Sequence, residues 1–224
     1  MNESFMRNVA FPLKEKLTGG RTLEHLGELN RTQWYSRERL QALQWEQLQS
    51  MISLAGNESP YYRETFARAG FMPSEMKKPE DLLRLPLLSR EDVRNHLDGM
   101  VPVSHKRRLI PIHTGGSSGY PLKFYLDRPV YQFLNAIHLR SLGWWGFQVG
   151  DRLMDLWGSS GVFNPSRRAR FIHRIGSAWP WLLNQRRMSA YDISNASLVG
   201  YTRTLRSFRP RVLHSYASSV FHMA

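Results

Sequence analysis

The chain has 224 residues, 31 lysines and arginines against 18 aspartates and glutamates, a formal net charge of +13 and no cysteine. Without cysteine there are no disulfides and no thiolate metal sites, which fits a reducing compartment and points to the cytoplasm. Hydrophobic residues make up 42% of the chain, enough for a globular core, yet no apolar run approaches the ~20 residues that span a bilayer and the first residues lack a signal-peptide plan.

In chain order, Leu40, Leu43, Leu48, Met51, Ile52 and Ala55 recur at three- and four-residue steps. They predict a helix from about Ser36 to Ala55, ended by Gly56-Asn57, with its apolar stripe turned to the core. Tyr61 to Ala69 reads as a second helix closed by Gly70, and residues 74–85 as a turn-rich connector among Pro73, Pro79 and Pro86. Ser89 has the character of an N-cap, with Glu91 and Asp92 placed where the helix dipole favours acids. Strands are expected at Arg108-Leu109-Ile110-Pro111-Ile112 and Leu122-Lys123-Phe124-Tyr125-Leu126, on either side of a Gly/Ser loop. Asp127 caps a helix from about Arg128 to Trp145, punctuated by Gly146 and Gly150, and Arg152 to Trp157 reads as a buried strand. The stretch from Asn164 to Arg187 has no clear period. Asp192 to Phe208 reads as a helix stopped at Arg209-Pro210, Arg211 to Ser215 as a short strand, and Ser218 to Ala224 as a helix just begun. This alternation of helix and strand predicts a layered α/β fold.

The loop is the chemically informative segment. Thr114-Gly115-Gly116-Ser117-Ser118-Gly119 packs three glycines and three hydroxyl residues into six positions. Glycine permits backbone conformations that aim successive N–H groups at a phosphate, and Lys123 adds a cation just downstream. It is not a Walker loop, which requires Gly-Lys-Ser/Thr opening a helix; here Tyr120-Pro121 follows the last glycine and favours an extended exit. On composition alone a plain surface hairpin is an equal alternative.

Thr114-Gly115-Gly116-Ser117-Ser118-Gly119-Tyr120-Pro121 resembles the phosphate loop of adenylate-forming ligases, and in particular the phenylacetate–coenzyme A ligase and CapK-like branch. Further segments resemble that branch in unbroken order: Ser59-Pro60-Tyr61-Tyr62-Arg63, Leu85-Pro86-Leu87-Leu88-Ser89-Arg90-Glu91-Asp92-Val93-Arg94, Pro121-Leu122-Lys123-Phe124-Tyr125 and Gly150-Asp151-Arg152. Tyr216-Ala217-Ser218 stands where those relatives have Tyr-Pro-Ser. The resemblance implies a helical N-terminal region over residues 1–104, followed over 105–224 by part of a layered α/β adenylate-forming domain that is incomplete at its C-terminus. The family's adenine pocket, ribose-binding segment, hinge and late lysine would fall beyond Ala224. It further implies a ligase that activates a small-molecule carboxylic acid with Mg2+ and ATP, in capsular or cell-envelope polysaccharide biosynthesis. The acceptor stays open among coenzyme A, a sugar amine or none. These residues alone are expected to bind nucleotide without turnover. A noncatalytic assembly protein that keeps the fold is the alternative.

The resemblance assigns the β/γ-phosphates to the hydroxyls of Thr114, Ser117 and Ser118 and the amides of Gly115, Gly116 and Gly119, with Lys123 nearby; no catalytic residue or metal ligand is assigned. Trp157, His214 and Tyr216 follow predicted strand ends, where α/β sheets place ligands, but such residues more often belong to the core. His113 reads as structural, and His105, His138 and His173 share no metal-ligand spacing. The basic clusters Lys106-Arg107-Arg108, Arg167-Arg168-Ala169-Arg170 and Arg186-Arg187 are short and belong to no nucleic-acid module, so no specific nucleic-acid partner is expected.

Overall fold

The computed structural model describes residues 2–106, 109–114, 121–158, 184–190, 192 and 194–223. The chain forms two compact units, one from residues 1–26 with 133–224 and the other from residues 27–132.

In the second of these, Ser36 accepts the Arg39 N–H at 3.3 Å and starts α4 (Arg37–Glu58), preceded along the chain by α1 (Glu3–Phe5), a π-helical turn (Met6–Ala10) and α2 (Phe11–Thr18) of the other unit and by α3 (Thr22–Thr32). Helix α4 runs through Gly56-Asn57 instead of ending there. A Cβ at Gly56 would lie 2.9 Å from the Pro73 ring and 3.2 Å from the Phe66 ring, so this glycine serves close packing and not termination. The stop comes at Ser59, which is extended as a residue before proline must be, and Pro60 opens α5 (Pro60–Arg68). The α4 stripe faces inward only in part: Leu48, Ile52 and Ala55, joined by Trp45, pack on buried Phe66, Phe71 and Met76, whereas Leu40 and Met51 of the expected stripe are exposed.

The connector holds two 3-10 turns, Pro73–Glu75 and Pro79–Arg84, before α6 (Arg90–Met100). Ser89 accepts the Asp92 N–H at 3.1 Å while the Asp92 carboxylate accepts the Ser89 N–H at 2.8 Å, a reciprocal cap that stabilises the helix start by about 1 kcal/mol. The hairpin follows, with β1 (Ile110–His113) antiparallel to β2 (Lys123–Leu126) and His113 opposite Lys123.

The other unit is built on a parallel sheet. Strand β3 (Leu153–Trp157) lies between β4 (Gln185–Ser189) and β5 (Val212–Ser215), parallel to both. Its centre is the driest part of the chain, with Met154 and Leu156 about 1% exposed or less. Helix α7 (Arg128–Gly143), capped where the Asp127 carboxylate accepts the Val130 N–H at 2.9 Å, contributes Leu139 and Leu142 to a core with Phe11, Phe147 and Leu153. Helix α8 (Asn195–Phe208) is capped by Ser194 and stopped by Arg209 in the left-handed region, and α9 (Ala217–Phe221) follows β5.

Gly150-Asp151-Arg152 locks this unit. Gly150 has φ +95°, and a Cβ there would meet the Glu3 carbonyl oxygen at 2.7 Å and the Arg7 nitrogen at 2.8 Å, so only glycine fits. The fully buried Asp151 carboxylate pairs with Arg7 at 3.0 Å and Arg211 at 3.5 Å and accepts the Gln148 N–H at 2.8 Å. Arg152 donates to the Phe208 carbonyl at 3.1 Å and pairs with Glu3 at 3.4 Å.

Candidate functional site

Among the loop residues singled out by the sequence, Gly115, Gly116, Ser117, Ser118 and Gly119 lie outside the described residues, and Thr114 and Lys123 stand at the two ends of the hairpin mouth. The mouth is closed by two hydrogen bonds. The Thr114 N–H donates to the Leu122 carbonyl at 3.0 Å, and the Leu122 N–H donates to the Thr114 hydroxyl oxygen at 2.9 Å. Since that oxygen accepts, the Thr114 hydroxyl proton stays available for an anionic acceptor.

Lys123 is exposed, with its ammonium 4.9 Å from the centre of the Tyr125 ring. Its hydrogen bond with Tyr125, helped by the attraction of that same residue and of Asp98, raises its pKa above the ordinary lysine value. The side chain therefore keeps its positive charge across the physiological range. Lys123 also borders a cleft of about 820 Å³ shared with Tyr61, Arg94, His96 and Asp98. The Pro60-Tyr61-Tyr62-Arg63 signature serves that cleft and the core below it. Tyr61 stacks on His96 at 5.2 Å, Tyr62 turns to Phe66, and Arg63 donates to the Asn57 carbonyl at 2.5 Å.

In the sheet unit, register creates a second cluster. Arg187, Asp155 and His214 are direct partners across β4, β3 and β5, and so stand in one row on one face. The His214 Nδ1 lies 2.8 Å from Asp155 Oδ1, and Arg187 Nε lies 3.8 Å from Oδ2. One step along β3, Trp157 stacks on His214 at 4.6 Å and on Tyr216 at 4.2 Å, with ring planes within 20° of parallel. His138 of α7 approaches His214 to 4.8 Å; burial first, and then the neighbouring imidazole, lower its pKa below the ordinary histidine value.

Trp157 and Tyr216 are 41% and 39% exposed, which corrects the core reading of both. They sit at the carboxyl ends of parallel strands, where side chains leave the sheet and meet solvent. Sequence reasoning took His214 only as a strand-end residue and passed over Asp155 and Arg187. The signal is the row itself, which becomes visible only when three strands separated by long connections are set in register. His113 is exposed, and His105 pairs with Asp127 at 3.6 Å.

The fold is similar to part of the fold of solved adenylate-forming ligases. A 2-hydroxyisobutyryl-CoA ligase, solved in complex with 2-HIB-AMP and CoA, matches 85% of this chain and 39% of its own with a TM-score of 0.63 at 21% identity. A phenylacetate–coenzyme A ligase of Thermus thermophilus is 27% identical over 123 residues, 54% of this chain and 28% of that protein. Protein CapK of Staphylococcus aureus is 23% identical over 189 residues, 81% of this chain and 39% of that protein. The chain is thus similar, over part of each sequence, to the phenylacetate–coenzyme A ligase and CapK branch that its motifs resemble. It spans well under half the length of these relatives. No family model matches it. Among the described residues no helix is long and apolar enough to cross a membrane.

Proposed function

We propose that these residues are the phosphate-loop portion of a ligase that activates a carboxylic acid with ATP. In that reaction a carboxylate oxygen attacks the α-phosphorus of ATP, the bond to pyrophosphate breaks, and an acyl-adenylate forms. A thiol such as that of coenzyme A then attacks the acyl carbon and AMP leaves. The observation that carries the reading is the hairpin mouth: an antiparallel pair of strands presenting a Thr/Gly/Ser loop, a spare hydroxyl proton on Thr114 and a charged Lys123.

Two anions must meet in such a reaction, so the protein's task is to hold the phosphates in line and offset their charge. Gly115, Gly116 and Gly119 supply backbone N–H donors to the β/γ-phosphates, and Thr114, Ser117 and Ser118 supply hydroxyls. Lys123 answers the remaining charge. Magnesium belongs to the reading as the companion ion of the triphosphate. Among the described residues no three His, Asp or Glu side chains converge to hold a metal, so no step is assigned to it. The likeness to CapK supports a place in cytoplasmic envelope or capsular polysaccharide synthesis.

The test is titration of Mg-ATP into the chain and into its Ser117→Ala/Gly116→Ala double variant. Saturable binding that the variant weakens about tenfold or more is expected from lost charge-assisted donors. Equal affinity of the two proteins would remove the loop from nucleotide binding. Acid-dependent ATP–pyrophosphate exchange by the chain would show that it turns over by itself.

A further inference from the structure

The helical run made of α1, the π turn and α2 has two unlike faces. Met6, Phe11 and Glu15 are buried, and Phe11 enters the core with Leu139 and Leu142. On the opposite face Phe5, Val9, Leu13 and Leu17 follow one another at four-residue steps and are 52%, 47%, 50% and 69% exposed. In a regular α-helix four residues overshoot one turn by about 40°, so such a stripe winds away around the axis. In the π turn the Phe11 N–H donates to the Met6 carbonyl five residues back, and this wider turn keeps the stripe straighter. The result is a convex apolar ridge.

The charges left over around this ridge are of one sign. Lys16 is exposed between Leu13 and Leu17, whereas Glu15 is buried and accepts the Leu23 N–H at 2.9 Å. At the other end Arg7, Arg152 and Arg211 meet only the two carboxylates of Glu3 and Asp151, which leaves one positive charge in excess. Gly146 lies beside Arg211, and just before it stand Trp144 and Trp145, 64% and 85% exposed. Tryptophan suits a membrane–water interface, since its ring is apolar and its N–H is wet.

We propose that the ridge of Phe5, Val9, Leu13 and Leu17 docks this chain on an anionic lipid bilayer, lying in the interface and not crossing it. For a helix in that position the buried apolar area and the attraction to anionic headgroups add. A convex ridge sinks into a deformable surface without needing a matching groove. The chain's net charge of +13 opposes a second copy as the occupant.

The experiment is cosedimentation of the chain with vesicles of phosphatidylcholine alone and of phosphatidylcholine with about a third phosphatidylglycerol. The mixed vesicles are expected to bind about tenfold or more tightly than the neutral ones, with the advantage shrinking as salt is added. Leu13→Gln/Leu17→Gln should weaken binding to the mixed vesicles about tenfold. Both side chains are exposed, so the urea unfolding midpoint of that variant should not move. The chain has no cysteine, so Val9→Cys and, on exposed Gln47 of α4, Gln47→Cys each accept a single polarity-sensitive dye. The dye should brighten on mixed vesicles at residue 9 and stay unchanged at residue 47. Undiminished binding by Leu13→Gln/Leu17→Gln, or an equal dye response at the two positions, overturns the proposal and reduces any attraction to net charge. Absence of binding to the mixed vesicles also overturns it; a dimer that the same double variant abolishes would then assign the ridge to a second copy.

Discussion

Gly150-Asp151-Arg152 and the pair Thr114 and Lys123 both belong to motifs on which the sequence resemblance rests, but they sit in opposite surroundings. In the first, the Asp151 carboxylate is fully buried and shared among Arg7, Arg211 and the Gln148 N–H, while Asn184 donates to the Gly150 carbonyl at 2.9 Å. Its hydrogen-bonding capacity is consumed within the protein. In the second, Thr114 and Lys123 are exposed, and Thr114 is tied to Leu122 by the two hydrogen bonds that close the hairpin. A saturated motif secures a fold, whereas the loop proposed to hold phosphate keeps its flanking Thr114 and Lys123 at the surface. Shared sequence signatures therefore divide into two kinds that only their hydrogen-bond accounting tells apart.

The sharpest way to break this contrast is at the saturated motif. Asp151→Asn removes the charge that Arg7 and Arg211 share, and should lower stability by about 3 kcal/mol in urea unfolding. Gly150→Ala should cost about 2 kcal/mol, from backbone strain and the close approach of Glu3 and Arg7. Neither loss would be expected if the segment were a ligand site on an indifferent scaffold. At the exposed motif the pattern inverts. Lys123→Ala should weaken Mg-ATP binding about tenfold with the urea unfolding midpoint unchanged. A large fall in its melting temperature would erase the distinction.

The smallest effect expected is a pH dependence from His138. Its pKa is lowered in the folded state, so the unfolded chain binds the proton more readily. The stability tied to neutral His138 is complete above its unfolded value, near the ordinary histidine value of 6.5, and is lost as pH falls towards the folded one. Replacing His138 by Phe should flatten the fall in stability between about pH 7 and 5.

Local chemistry made much of this legible in the sequence. Ser89 and Asp127 declare their helix starts because a cap needs only neighbours within three residues. The Gly/Ser loop between two apolar runs declared the hairpin in the same way. Gly56 misled because a glycine that admits a neighbouring ring looks, in one dimension, like one that ends a helix. Strand β4 was hidden because Gln185-Arg186-Arg187-Met188-Ser189 has no strand pattern of its own and is held by pairing with β3. The Arg187–Asp155–His214 row was hidden for the same reason, its members being neighbours only through the register of the sheet.

The order of assembly also follows from the chain's layout. The unit of residues 27–132 leaves the ribosome whole while its neighbour is still in two halves, one made and one unmade. Arg7 must wait 144 residues for Asp151, and until then Met6 and Phe11 have no core to enter. Synthesis therefore finishes the hairpin-bearing unit first and leaves a sticky leading segment for later capture. A nascent chain halted after residue 132 has cleared the exit tunnel and before residue 151 has done so should show protease protection over residues 27–132 and none over residues 2–18.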